Sequence, residues 1–213
     1  MHGTITMGLR SDRTDGAAFS PLIVGIGGTS RPASGTERIV GLTLDAAARE
    51  GARIQMFGGE FLMRLPLYAP DQRQRTPEER ALIQAVRQAD GLVIATPGYH
   101  GGMSGVVKNA LDLIEDTAAD ERAYLDGVAV GLIVVAAGWQ AAGTTLTSMR
   151  STVHALRGWP TPFGAAINSS GGLFTNEGRL VDPSIQSALD TLANQVVDFA
   201  RWRNTYAQAR RSS

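Results

Sequence analysis

Apolar and polar positions along the chain fall into two recurring rhythms. Short apolar runs ending in glycine or proline are followed by longer stretches with apolar residues three and four apart. The first rhythm is that of a strand buried on both faces, the second that of an amphipathic helix. Residues 21–27 are the first apolar run. Behind them, Ser34-Gly35-Thr36-Glu37 fits a capping box in which Ser34 and Glu37 satisfy each other's free backbone donors. Ile39, Val40, Leu42, Leu44, Ala47 and Ala48 carry the helix to Gly51.

Residues 52–57 predict a second strand, nearer an edge, and residues 58–75 a long connection. Thr76-Pro77-Glu78-Glu79 opens a second helix, with threonine as cap and proline at the first position. The third strand, Gly91-Leu92-Val93-Ile94-Ala95, runs into a glycine-rich loop, and a helix follows from Ser104 to about Glu115. A fourth strand over 128–135 leads to a helix ending near Arg157. A fifth over 163–167 follows Pro160-Thr161-Pro162, and a last helix covers 183–206.

Strands that alternate with helices, through connections mostly too long for hairpins, predict one α/β domain with a parallel sheet covered on both faces. Five strands fit the flavodoxin-like order 2-1-3-4-5, a three-layer sandwich. That order brings the loops after strands 1, 3 and 4 to one rim, and these are three of the most glycine-rich loops in the chain.

Composition narrows the function classes. Twenty basic and 20 acidic residues balance, so no global field favours nucleic acid or a membrane surface. No cysteine is present, which removes disulfides, thiolate chemistry and most structural zinc sites. The three histidines are too scattered for the usual metal-ligand spacings. No apolar run approaches the ~20 residues of a spanning helix. Arg10, Asp12, Arg13 and Asp15 interrupt the first twenty residues, which do not read as a signal peptide. The expectation is a mobile tail over 1–20, a single domain over 21–213, and a cytoplasmic protein without a metal.

The loop after strand 3 reads Thr96-Pro97-Gly98-Tyr99-His100-Gly101-Gly102-Met103-Ser104-Gly105. Four glycines in eight residues let backbone approach a ligand closely, and one aromatic ring stands among them. This suits a flat, polar-edged ligand such as a flavin ring. Tyr99 could stack on such a ring, and His100 could donate to a ring heteroatom or a nicotinamide. A nucleophile elbow fails, because Gly-x-Ser-x-Gly needs glycine where Val106 stands. Lys108 and Asp112 are helix neighbours, by default a solvated pair.

In the loop after strand 1, a dinucleotide fingerprint fails at Ser30, and no Gly-Lys-Ser/Thr occurs for a P-loop. What remains is a hydroxyl-rich turn with Arg31, opening a helix. It offers amides, hydroxyls and a guanidinium fork to a terminal phosphate; a capped helix start with incidental hydroxyls is the plainer alternative. The loop after strand 4, Ala137-Gly138-Trp139-Gln140, either faces the pyrimidine edge of a ring or places Trp139 at a subunit interface.

Together these loops resemble the NAD(P)H-dependent FMN reductases of the flavodoxin-like superfold. The phosphate loop Gly-Ser-x-Arg-x-x-Ser-x-Asn/Thr reads here as Gly28-Thr29-Ser30-Arg31-Pro32-Ala33-Ser34-Gly35-Thr36. The motif T-P-E-Y-N-x-x-x-x-G-x-x-K-N-A-L-D matches from Thr96 through Gly105 to Lys108-Asn109-Ala110-Leu111-Asp112. Two departures stand out: Glu-Tyr-Asn is Gly98-Tyr99-His100, and the loop serine is Thr29.

The resemblance implies that Thr29, Arg31, Ser34 and Thr36 hold the FMN phosphate. Pro97, Gly98, Tyr99, His100 and Gly101 would line the ribityl chain and ring, with Gly138 and its neighbours at the pyrimidine end. It also implies hydride transfer from NADPH or NADH to FMN, without a catalytic side chain. The second acceptor would be free flavin for a partner monooxygenase, or a quinone, azo compound or metal. The alternatives are a one-electron flavodoxin-like carrier and a non-catalytic flavin-binding protein. A homodimer or homotetramer is implied, with Leu111, Leu113, Ile114 and the last helix offered as its interface.

Overall fold

The computed structural model describes residues 19–31, 33–72 and 74–212. Residues 1–18 of the expected tail lie outside the described residues. Strands β1 (Leu22–Gly27), β2 (Arg53–Phe57), β3 (Gly91–Pro97), β4 (Ala129–Ala136), β5 (Trp159–Pro160) and β6 (Ala165–Asn168) form one sheet. All pairings are parallel, in the order β2-β1-β3-β4-β5, and β6 also pairs with β4. This is the doubly wound order that the alternation of apolar runs predicts. The helices are α1 (Gly35–Arg49), α2 (Gly59–Arg64), α3 (Pro77–Gln88), α4 (Gly105–Asp112), α5 (Trp139–Ala155) and α6 (Ser184–Arg211).

Because both sheet faces are covered, β1, β3 and β4 are buried at every position. Successive side chains point to opposite faces. Val24, Ile26, Leu92 and Ile94 pack with Leu82 and Val86 of α3, Val107 of α4 and Met149 of α5. Ile23, Val93 and Ile133 pack on the other face with Ile39, Val40 and Leu44 of α1 and Leu192 and Val196 of α6. Each such aliphatic side chain contributes roughly 1.5–3 kcal/mol by leaving water.

Four local expectations change. The strand expected over 163–167 is β6, and a further two-residue strand, β5, precedes it, the two separated at Pro162, which has no amide to offer the ladder. Arg150 bridges the break, donating to the carbonyls of Thr161 (2.7 Å) and Pro162 (2.9 Å). The connection over 58–75 contains α2 and is pinned by Asn109, whose side chain accepts from Tyr68 N (2.7 Å) and donates to the Pro66 carbonyl (2.8 Å).

At α1, Ser34 Oγ accepts from Glu37 N (3.2 Å), but Glu37 does not reach back. Its carboxylate accepts from Gly59 N (3.3 Å) at the start of α2. The box at α3 is complete: Glu79 N donates to Thr76 Oγ1 (3.2 Å) and Thr76 N to Glu79 Oε2 (2.7 Å). Finally, Leu111, Leu113 and Ile114 are at most 2% exposed and belong to the core, so they are not free to form a subunit interface.

Candidate functional site

In the sheet order, the chain passes from β1 outward to β2 and then returns to β3 on the other side of β1. The strand ends diverge at that reversal and leave a crevice, the usual ligand position in open α/β sheets. A cleft of about 520 Å³ opens there, between the loops following β1, β3 and β4. Its size lies within the roughly 300–1,000 Å³ of small-ligand sites.

Seven of the residues expected at the site line this cleft: Thr29, Arg31, Ser34, Thr36, Pro97, Gly98 and Tyr99. Thr29, Ser34 and Thr36 are 6%, 7% and 3% exposed, whereas Tyr99 is half-exposed at the other side. Thr29 Oγ1 accepts from Arg31 N (3.1 Å), which bends the loop before α1 begins. Ser34 Oγ caps Glu37 N, leaving the amides of Gly35 and Thr36 in the first turn without intrahelical partners. Among the described residues Arg31 makes no ion pair, and the cleft lining contains no carboxylate. Free amides, hydroxyls and one guanidinium form a donor set that accepts an anion, and a phosphate monoester fits it.

His100, Gly101 and Gly138 are not among the lining residues. Tyr99 and Gly102 exchange both backbone hydrogen bonds (2.9 Å each), and His100 (φ 52°) and Gly101 (φ 80°) form the two-residue turn between them. Positive φ at both central positions is the mark of a type I′ turn, where Asn-Gly is the favoured pair. The asparagine of the motif therefore has a backbone reason, and His100 occupies its left-handed position. Replacing His100 by asparagine is expected to raise Tm by about 1–2 °C; a lower Tm in a thermal melt would contradict this.

Gly138 caps α5 without a side-chain hydrogen bond, which leaves the first amides of that helix uncapped, next in the chain to the cleft-lining Ala137. Beneath Gly98, Thr145 Oγ1 is the one fully buried side-chain polar atom without a partner among the described residues. A Cβ at position 98 would lie 3.3 Å from it and 3.0 Å from the Ala136 methyl group. The main chain here sits too close to β4 and α5 for a side chain to enter without movement.

Sequence reasoning missed Ser169, Leu173 and Phe174, which also line the cleft. They come from the polar stretch after β6. Two apolar residues behind Gly171-Gly172, with Asn176-Glu177-Gly178 ahead, were the available signal for a short hairpin. A wider hollow of about 810 Å³ lies beside α3, lined by residues including Arg75, Arg87 and Asp116. Its Arg75 and Arg87 are already engaged, by Asp116 (2.7 Å) and Asp120 (2.7 Å). It also lies off the strand ends and has no glycine loop.

The chain is similar to the NADPH azoreductase of Bacillus sp. (strain OY1-2), 32% identical over 117 residues, or 54% of this chain and 61% of that protein. The FMN reductase (NADPH) of Escherichia coli (strain K12) is 29% identical over 149 residues, 65% of each chain. The matched part thus spans less than two thirds of either relative. The flavoenzyme NAD(P)H:(acceptor) oxidoreductase FerB of Paracoccus denitrificans shares the fold, with a TM-score of 0.70 at 16% identity over 86% of this chain and 98% of that one. The family model described as NADPH-dependent FMN reductase matches residues 21–171, a span that includes all three loops of the cleft. By that match, this chain belongs to the NADPH-dependent FMN reductase family.

Proposed function

We propose that residues 21–213 form one FMN-binding domain that acts as an FMN-dependent NAD(P)H oxidoreductase. The observation that carries the reading is the donor set at the β1–α1 turn: free helix amides, buried hydroxyls and Arg31, which among the described residues makes no ion pair and meets no carboxylate in the cleft. The names of the relatives, azoreductase and FMN reductase, agree with it.

The redox chemistry, hydride acceptance from NAD(P)H and electron delivery to a second acceptor, would be supplied by FMN held in this cleft. The protein binds and orients. Thr29, Arg31, Ser34 and Thr36 hold the phosphate, and the first turn of α1 adds its positive dipole end. Pro97, Gly98 and Tyr99 border the ribityl chain and ring. His100 and Gly101 act through the turn that presents Tyr99, and Gly138 starts the helix whose first amides would serve the pyrimidine edge. The half-exposed Tyr99 and the open cleft leave one side accessible to the nicotinamide and then to the acceptor in turn. No side-chain acid or base is needed for hydride transfer.

The family resemblance supplies the acceptor class, free flavin handed to a partner monooxygenase, or a quinone, azo compound or metal ion, and an open cleft is compatible with it. The same reading makes the protein a cytoplasmic homodimer or homotetramer. Among the described residues no helix is long and apolar enough to cross a membrane. Steady-state oxidation of NADH and of NADPH with added FMN tests the proposal. Turnover with at least one nucleotide, in a ping-pong pattern, is expected; no turnover with either removes it.

A further inference from the structure

The polar stretch after β6 folds into a small hairpin. Phe174 and Leu180 form an antiparallel bridge, Thr175 N donates to the Arg179 carbonyl (2.8 Å), and Val181 N donates to the Leu173 carbonyl (2.9 Å). The hairpin turns through Gly178, at φ 81°. Its first residues line the phosphate side of the cleft, and two residues of α1 grip it.

The first grip is steric. Leu173, only 9% exposed, sits on the bare Cα of Gly35, where a Cβ would lie 2.7 Å from Leu173 Cδ1. The second is a cation over a ring. One helical turn from Gly35, Arg38 lays its guanidinium carbon 3.5 Å from the centroid of the Phe174 ring. It also donates to the Gly178 carbonyl (2.8 Å). Arg38 has no acidic partner among the described residues, so its planar head is committed to this hairpin.

We propose that residues 173–181 are a clamp on the anion-binding turn, with Arg38 and Phe174 as its positioning residues. By fixing Leu173 over Gly35, they hold the first turn of α1 in the geometry that receives the phosphate monoester of the flavin. The proposal rests on the flavin reading above. A site of this kind tolerates displacements of only about 0.5 Å before its hydrogen bonds weaken. The hairpin meets α1 in the turn that carries the free amides of Gly35 and Thr36. Loosening it therefore weakens binding of the phosphate and spares the ring, which would rest on Pro97–Tyr99.

Comparing FMN with riboflavin, the same flavin without the phosphate, separates clamp from general packing. Dissociation constants are measured for both by flavin fluorescence on the full chain, with Arg38→Lys and Phe174→Leu. Lysine keeps the charge but loses the planar stack and the fork. Leucine keeps apolar bulk without the ring face, and it keeps the test decisive should the Arg38 variant lose its fold.

Each variant is expected to raise the FMN dissociation constant about tenfold while riboflavin changes by less than about twofold. Equal weakening of both flavins, or unchanged FMN affinity, overturns the clamp while leaving the flavin reading intact. Wild-type protein that binds neither flavin overturns that reading and the clamp with it.

Discussion

Replacing Gly59 by alanine is expected to disable the phosphate turn from a position outside it. Gly59 starts α2, and the loop after β1 crosses it in direct backbone contact: a Cβ there would lie 2.0 Å from the Thr29 carbonyl oxygen. Neither partner is a flexible side-chain end, so the Thr29 backbone must move by about 1 Å, a displacement that costs on the order of 100-fold in a site that depends on orientation. Strain in the fold adds about 1–3 kcal/mol of destabilisation.

FMN affinity and the urea midpoint of Gly59→Ala together check this; retention of both would show that the loop yields without penalty. Gly41→Ala serves as the control, since nothing lies within 4 Å of a Cβ there, in the middle of α1. That change is expected to stabilise by about 0.5–1 kcal/mol, the usual gain on removing a helical glycine.

The second large effect is expected at Arg75, where the long connection returns to α3. Its guanidinium makes a two-pronged pair with Asp116 (2.7 and 2.8 Å), reaches Glu79 (3.4 Å) and lies 4.9 Å from the Tyr68 ring centroid. The Asp116 hydrogen bond raises the Arg75 pKa above its ordinary value against the opposing pull of burial, so the group stays charged. The side chains of Arg75 and Glu79 are 9% and 3% exposed. Removing the cation leaves a buried carboxylate that, among the described residues, keeps only its bond to Thr76 N.

Arg75→Ala should therefore cost about 3 kcal/mol, at the low end for a broken buried pair because one partner of Glu79 survives. Arg75→Lys keeps the charge but loses the fork, and should cost about 1–2 kcal/mol. Urea unfolding at constant m-value measures both. A loss below 1 kcal/mol for the alanine variant would mean that water replaces the guanidinium without penalty.

Much of this architecture was legible in local patterning. Runs such as Leu92-Val93-Ile94-Ala95 announce a strand buried on both faces, because only a covered parallel sheet hides consecutive side chains. The box at Thr76 and Glu79 is local chemistry within four residues, and it forms as written. The β1 loop and the strand-3 motif were legible for the same reason, and seven of their residues meet in one cleft. The short strand β5 was less visible, since Pro160 and Pro162 argue against a ladder there, yet β5 and β6 both pair with β4.

From the sequence alone came the long strands and helices, their winding order and the two loops that carry hydroxyls, arginine and glycine. These follow from periodicity and from residue types that act within a few positions of one another. The remaining features depend on long-range packing. Glu37 leaves its own cap for Gly59, 22 residues away, and Asn109 pins Pro66 and Tyr68. The hairpin at 173–181 reaches back to Gly35 and Arg38. Each is a contact between segments far apart in the chain, whose partners compete with equally plausible local ones until packing fixes the distances.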